Sequence, residues 1–154
     1  MLAHLLPRQV DNHFPGHWLG LWLFGALILT KGAIGLGTML NGRQAAIEAD
    51  GIPLQGFSTA GEQAFVALFA AWGLAQLVLN LFGFLVLLRY RALVPLMYTV
   101  LLTEHLARRG LFQILPMPRE GAPPGYWINL ALLAIMLAGL ALSLSRARAP
   151  QPQA

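Results

Sequence analysis

The residues best suited to chemistry lie in one stretch, "LLTEHLARRG", residues 101–110. It places a carboxylate, an imidazole and two guanidinium groups at the end of a strongly apolar run: Glu104, His105, Arg108 and Arg109. A glutamate beside a histidine is able to transfer protons, and an arginine is able to hold an anionic group. Their role depends on whether they lie in lipid, at its edge or in a site that holds a substrate.

The composition predicts a membrane protein. Hydrophobic residues make up 57% of the chain and charged residues only 10%, which is more apolar than one water-soluble core of this size needs. The net charge is +4, but the basic residues are scattered at the ends of apolar segments, which argues against a nucleic-acid partner. The absence of cysteine excludes disulfides, thiolate nucleophiles and cysteine-ligated zinc or iron–sulfur sites.

Four segments approach the roughly 20 apolar residues that a helix needs to cross a bilayer. The predicted spans are residues 18–40, 64–88, 92–112 and 126–145. Between the first two lies a predicted polar loop, residues 41–61, with turn residues at both ends. The pattern predicts an all-α fold, an integral membrane four-helix bundle that forms one domain over residues 1–148, followed by a disordered tail at 149–154.

Counting residues along the helices predicts an ion pair in the middle of the bilayer. Lys31 lies 13 residues after Trp18, and Glu104 lies 13 residues after Arg91, so each is about 20 Å above the same end of the bundle. An ionisable group in hydrocarbon costs at least about 2.5 kcal/mol, so it faces a partner, water or the bundle interior. Arg108, one turn after Glu104, is predicted to join the pair in an electroneutral cluster.

Amide side chains at similar depth extend this prediction. Gln76, Asn80 and Asn129 are predicted to form interhelical hydrogen bonds. The complete predicted polar cluster is Lys31, Gln76, Asn80, Glu104, His105, Arg108 and Asn129. Two alternatives stay open: Lys31 snorkels along its helix, or the third helix ends near Ala107 so that both following arginines reach the headgroups.

His105 invites two further interpretations, as a proton carrier beside Glu104 or as a haem ligand. Successive helix positions point about 100° apart, and no second transmembrane histidine offers a paired ligand. No hydrolase, zinc-protease or nucleotide-binding motif occurs. The sequence therefore predicts no catalytic residue and no metal site, and it identifies no cofactor.

The distribution of arginine predicts the orientation. With both termini in the cytoplasm, that side carries Arg8, Arg89, Arg91, Arg146 and Arg148. The opposite side carries Arg43, Arg108, Arg109 and Arg119. This difference favours cytoplasmic termini, with the opposite orientation still open.

The stretch "RYRALVPLMYTVLLTEHLARRG", from Arg89 to Gly110, together with the four-span plan, resembles small bacterial inner-membrane proteins of the DoxX-like group. The resemblance implies a bacterial inner membrane and association with membrane redox or stress complexes. It transfers no functional residue.

Two functions are consistent with these features. The first is a non-enzymatic subunit or assembly partner of a membrane complex, or a homo-oligomer, in which the polar cluster fixes the helices against one another. The second is a lipid- or quinone-handling enzyme or proton-coupled carrier that uses Glu104 as its protonatable group. The lipid bilayer is a partner in both, and the sequence leaves open whether the protein is an enzyme.

Overall fold

The computed structural model describes residues 10–14 and 16–145, and all regular elements within them are helical. The four long helices are α1 (Trp18–Leu40), α2 (Thr59–Arg89), α3 (Val94–Ile114) and α4 (Pro124–Leu144). The predicted all-α fold is therefore confirmed. The predicted tail and the arginines at positions 8, 146 and 148 lie outside the described residues.

Local sequence signals set where the helices begin. The Ser58 hydroxyl accepts a hydrogen bond from the Gly61 N–H at 3.2 Å, so α2 begins at Thr59 and contains the whole predicted span 64–88. His17 caps α1 in the same way, through its ring nitrogen and the Leu19 N–H at 3.2 Å. A proline in the first turn of α3 and of α4 removes an N–H that has no helical partner there.

The segment between α1 and α2 is more ordered than the predicted polar loop. It contains three short helical turns, Gly42–Gln44, Ala45–Ala49 and Leu54–Gly56. Ile52 and Leu54 are at most 2% exposed and pack near Phe69 of α2 in a second small core. The loop prediction was wrong here because it depended on the turn residues and overlooked the few apolar ones. Burial of these apolar residues depends on the adjacent helix α2.

Three of the four helices, α1, α2 and α4, are long and apolar enough to cross a membrane. Their surfaces expose large side chains, including Trp22 at 72%, Leu68 at 72% and Leu88 at 70%. Such extensive apolar surface is unfavourable in water and indicates a membrane protein. Helix α3 does not meet the same criteria, since its second half carries the charged groups of residues 104–109. The four-span topology stays a prediction.

The helices pack unequally around the bundle. Helix α1 packs extensively against α2 and also against α4, whereas α3 packs against α4 and touches α2 much less. The α1–α2 contact is close because both helices present glycine: a Cβ atom on Gly73 would lie 2.6 Å from the Met39 nitrogen and 2.8 Å from the Gly35 oxygen. The weaker α2–α3 contact leaves room for a cavity between these two helices.

Tyr98 ties α3 to α1 inside the main core. Its ring is fully buried and lies edge-on to Phe24, with 5.1 Å between ring centroids. Its hydroxyl donates a hydrogen bond to the Gly20 carbonyl oxygen at 2.9 Å. The core thus contains a polar contact that fixes the height of α3 relative to α1.

Replacing Tyr98 with phenylalanine is expected to lower the free energy of unfolding by about 1 kcal/mol, the typical net worth of one buried hydrogen bond. The measurement is denaturant unfolding of the purified protein in detergent. Tyr126→Phe is the matched control, because Tyr126 is 44% exposed, and it should change the midpoint little. Equal effects of the two substitutions would contradict the assigned role of Tyr98.

Candidate functional site

Glu104 lies at the centre of the polar side chains and accepts hydrogen bonds from three helices. Lys31 of α1 places its Nζ 3.5 Å from Oε2. Gln76 of α2 donates to Oε1 at 2.7 Å, and Arg108 of α3 donates through Nε to the same oxygen at 3.1 Å. One carboxylate therefore joins α1, α2 and α3.

The three charged residues, Lys31, Glu104 and Arg108, form what we call the ionic cluster. Their side chains are 6%, 24% and 17% exposed, respectively. Two cations share one carboxylate, so the formal charges of the cluster sum to +1 and not to zero as predicted. Charges this far from water interact strongly and need partners.

Arg108 extends the contacts to α4. Its Nη2 atom lies 3.5 Å from the Asn129 Oδ1 atom and 3.4 Å from the His105 Nδ1 atom. Its guanidinium group lies over the Trp72 ring, 5.1 Å from the centroid, in a cation–π contact. Since α3 continues to Ile114, the alternative in which the helix ends near Ala107 was wrong.

Asn80, one of the predicted polar residues, differs from expectation in its contacts. Asn80 is fully buried, yet it donates to the Gln76 carbonyl of its own helix at 2.7 Å. Its Oδ1 atom has no partner among the described residues, so the predicted interhelical bond was wrong. The neighbouring helix presents Gly32 at this level, which has no side chain to donate. His105 is 2% exposed and turns toward Arg108.

A cavity of about 610 Å³ lies between α2 and α3 and reaches the start of α4. His105, Arg108 and Asn129 line it next to the ionic cluster. We call it the arginine-lined cavity, because Arg109 and Arg119 line it as well. Its volume lies within the range of small-molecule sites.

One wall of this cavity is a row of aromatic rings on α2. Phe65 and Phe69 stack with 5.7 Å between centroids, and Phe69 and Trp72 are 5.2 Å apart. Their spacing of four and then three residues places them on one helix face. That spacing is visible in the sequence, but the cavity itself depends on the weak α2–α3 contact, which the sequence does not reveal.

Asp50, in the segment between α1 and α2, is the acidic residue of the cavity lining. Burial raises the pKa of its carboxyl above the ordinary value of 3.8, although the Arg119 and Arg108 guanidinium groups oppose the rise. The folded protein therefore holds this proton more tightly than the unfolded chain does. The stabilising contribution is complete below pH 3.8 and declines as the pH rises through the raised pKa.

Asp50→Asn is expected to unfold at a higher denaturant concentration than the parent protein at neutral pH, because the amide avoids the cost of burying a charge. The difference should shrink as the pH falls below 3.8, where the Asp50 carboxyl is neutral in both the folded and the unfolded protein. Unfolding midpoints across this pH range provide the measurement. A variant that is less stable at neutral pH would show that attraction to the arginines outweighs burial.

Within the described part of the chain, no group of three or more histidine, aspartate and glutamate side chains lies close enough to hold a metal ion. The site is instead an arginine-rich, aromatic-walled cavity beside a bonded carboxylate. No protein-family model matches the chain, and neither a curated protein nor a solved structure is significantly similar to it.

Proposed function

We propose that the chain is a multi-pass protein of the bacterial inner membrane that serves as a non-enzymatic subunit or assembly partner of a membrane complex. The supporting observation is that Glu104 accepts from Lys31, Gln76 and Arg108, and that Arg108 continues to Asn129 of α4. One chain of polar contacts thus links all four helices. It gives each of these side chains a structural role.

The bonding of Glu104 favours a structural role over proton transfer. A carboxylate that exchanges protons with a substrate needs access to it, yet both Glu104 oxygens already accept from donors of the same chain. Protonating Glu104 would weaken contacts to three helices at once. The exposed apolar faces of α1, α2 and α4 offer surface to lipid and to a partner protein.

The orientation that we propose places both chain ends in the cytoplasm. The start of α1 meets the end of α4, where the His17 backbone N–H donates to the Leu142 carbonyl oxygen at 3.0 Å. The backbone N–H of Ala92, which follows α2, donates to the Asp11 backbone carbonyl oxygen at 3.3 Å. The entry to α1, the α2–α3 turn and the end of α4 therefore share one end of the bundle. Arg89 and Arg91 lie there, which favours the cytoplasmic side.

Native electrophoresis of gently solubilised membranes, with the chain tagged at its own locus, tests the assembly role. We expect a band larger than the monomer that contains a fixed molar ratio of this chain to itself or to one partner, measured by quantitative mass spectrometry. Glu104→Gln should reduce that band, whereas Glu62→Gln, which breaks an exposed ion pair, should not. A monomer without a stoichiometric partner would contradict the proposal.

A second candidate, a lipid- or quinone-handling enzyme or proton-coupled carrier, is favoured by one observation. Arg108 and His105 belong both to the contacts of Glu104 and to the lining of the arginine-lined cavity. A bound ligand would therefore lie close to a protonatable group. If Glu104→Gln abolished turnover or transport while folding and assembly were unchanged, this candidate would replace the first.

A further inference from the structure

The arginine-lined cavity carries more positive charge than the surrounding residues neutralise. Among the described residues, Arg108 has one acidic partner, Glu104, which it shares with Lys31. Arg109 and Arg119 form no ion pair within the described part of the chain, and Asp50 is the one acidic residue in the lining. An anion in the cavity would compensate this excess.

Arg108 has hydrogen-bonding capacity left for such an anion. Its Nε and Nη2 atoms contact Glu104, His105 and Asn129, and no described residue accepts from Nη1. Among the described residues, the Asn80 oxygen is the one fully buried side-chain polar atom without a partner. The Nη1 atom is therefore not sealed in the core, and Arg108 lines the cavity. A guanidinium group binds phosphate oxygens with favourable geometry.

The rest of the cavity suits a hydrocarbon chain. Phe65, Phe69 and Trp72 form one wall, and Leu68 and Leu111 lie at its margin. These two leucines are 72% and 50% exposed, so the cavity adjoins the outer apolar surface of α2 and α3. An acyl chain is able to enter from the side without leaving an apolar environment.

The arginines lie at a depth that suits a headgroup. Arg109 is five residues before the end of α3 at Ile114, which is about 8 Å along the helix. Arg119 follows α3 in the connection to α4, and its guanidinium group lies over the Phe112 ring at 5.6 Å from the centroid. Guanidinium groups at this depth attract an anionic headgroup and are able to bind its phosphate through paired hydrogen bonds.

We propose that the arginine-lined cavity binds an anionic phospholipid, with its phosphate at Arg108, Arg109 and Arg119 and an acyl chain along Phe65, Phe69 and Trp72. The site goes beyond the assembly role and does not require a protein partner. It distinguishes lipids by charge, since a zwitterionic headgroup brings its own cation into a cavity that already has an excess of them.

Trp72 provides a reporter within the site. The full chain with Trp18, Trp22 and Trp127 replaced by phenylalanine retains this tryptophan alone. It is reconstituted into phosphatidylcholine vesicles that contain increasing fractions of brominated-chain phosphatidylglycerol or brominated-chain phosphatidylcholine. We expect half-maximal quenching of Trp72 fluorescence at a lower fraction of brominated phosphatidylglycerol than of brominated phosphatidylcholine. A chain that retains only Trp22, which is 72% exposed, should show no such preference.

Arginine variants separate a specific site from general attraction. The preference is the ratio of the phosphatidylcholine fraction to the phosphatidylglycerol fraction that quenches Trp72 equally. Arg109→Gln and Arg119→Gln should each lower this ratio about fivefold, the effect of one basic residue near a membrane surface. Arg43→Gln is the matched control, because Arg43 follows α1 as Arg119 follows α3, but Arg43 lies outside the cavity lining. It should leave the preference unchanged.

Native mass spectrometry of the unmodified chain gives a second readout that does not depend on the tryptophan substitutions. We expect phosphatidylglycerol to be retained by the parent protein and by Arg43→Gln, and lost from Arg109→Gln/Arg119→Gln. Equal retention of both lipids, or equal loss from all variants, would overturn the proposal. Displacement of the lipid by soluble glycerol phosphate at equal concentration would also overturn it, in favour of a site for a soluble anion.

Discussion

Glu104→Gln is expected to lower the free energy of unfolding by about 3–5 kcal/mol, the cost of removing one partner from a buried ion pair. The substitution preserves shape but leaves Lys31 and Arg108 as two cations without a counter-charge. Lys31 is the more affected, because its side chain is only 6% exposed, compared with 17% for Arg108. The measurement is reversible unfolding in mixed detergent micelles, followed by circular dichroism.

Glu62→Gln is the matched control for this prediction. Glu62 pairs with Arg43 at 2.7 Å, but the Arg43 side chain is 62% exposed, so the expected loss is at most about 1 kcal/mol. The same chemical change is thus made in a buried and in an exposed pair. Similar losses in the two variants would mean that the ionic cluster contributes no more than a surface contact.

Gly73→Val is expected to destabilise the bundle by about 3 kcal/mol, at the upper end of the cost of overpacking. A Cβ atom at this position would lie 2.6 Å from the Met39 nitrogen and 2.8 Å from the Gly35 oxygen, both backbone atoms of α1. Backbone is unable to move aside as a flexible side chain does. The two helices must separate, and their contact is the most extensive in the bundle.

Gly110→Ala tests whether this effect comes from close packing or from helical glycine in general. A Cβ atom on Gly110 would meet nothing within 4 Å, and alanine favours the helix by roughly 1 kcal/mol. We therefore expect Gly110→Ala to be as stable as the parent protein or more so. If Gly73→Val were tolerated as well as Gly110→Ala in the same unfolding assay, α1 and α2 would not approach as closely as described.

Residue counting from the sequence placed Lys31 and Glu104 at one height, and the structure places them 3.5 Å apart. Such counting works because a helix has a fixed rise per residue and because an ion in hydrocarbon needs a partner. The all-α fold follows from the same lengths and hydropathy. These features depend on properties of single helices, which the sequence contains.

Features that depend on contacts between helices were not predictable. Asn80 bonds to its own helix because the facing residue is a glycine, and the burial of Ile52 and Leu54 depends on the α2 surface. The arginine-lined cavity exists because α3 packs closely against α4 and loosely against α2. A single sequence does not specify which pairs of helices pack closely.

The ionic cluster depends on the contact between Lys31 and Glu104, which is directly measurable because Lys31 is the one lysine of the chain. Protein labelled with ¹⁵N at lysine Nζ and ¹³C at glutamate Cδ is reconstituted into bilayers for solid-state nuclear magnetic resonance. We predict a nitrogen–carbon dipolar coupling that corresponds to the 3.5 Å contact between Nζ and Oε2 and that is lost in Glu104→Gln but kept in Glu62→Gln. A wild-type signal with no such coupling would contradict the ionic cluster.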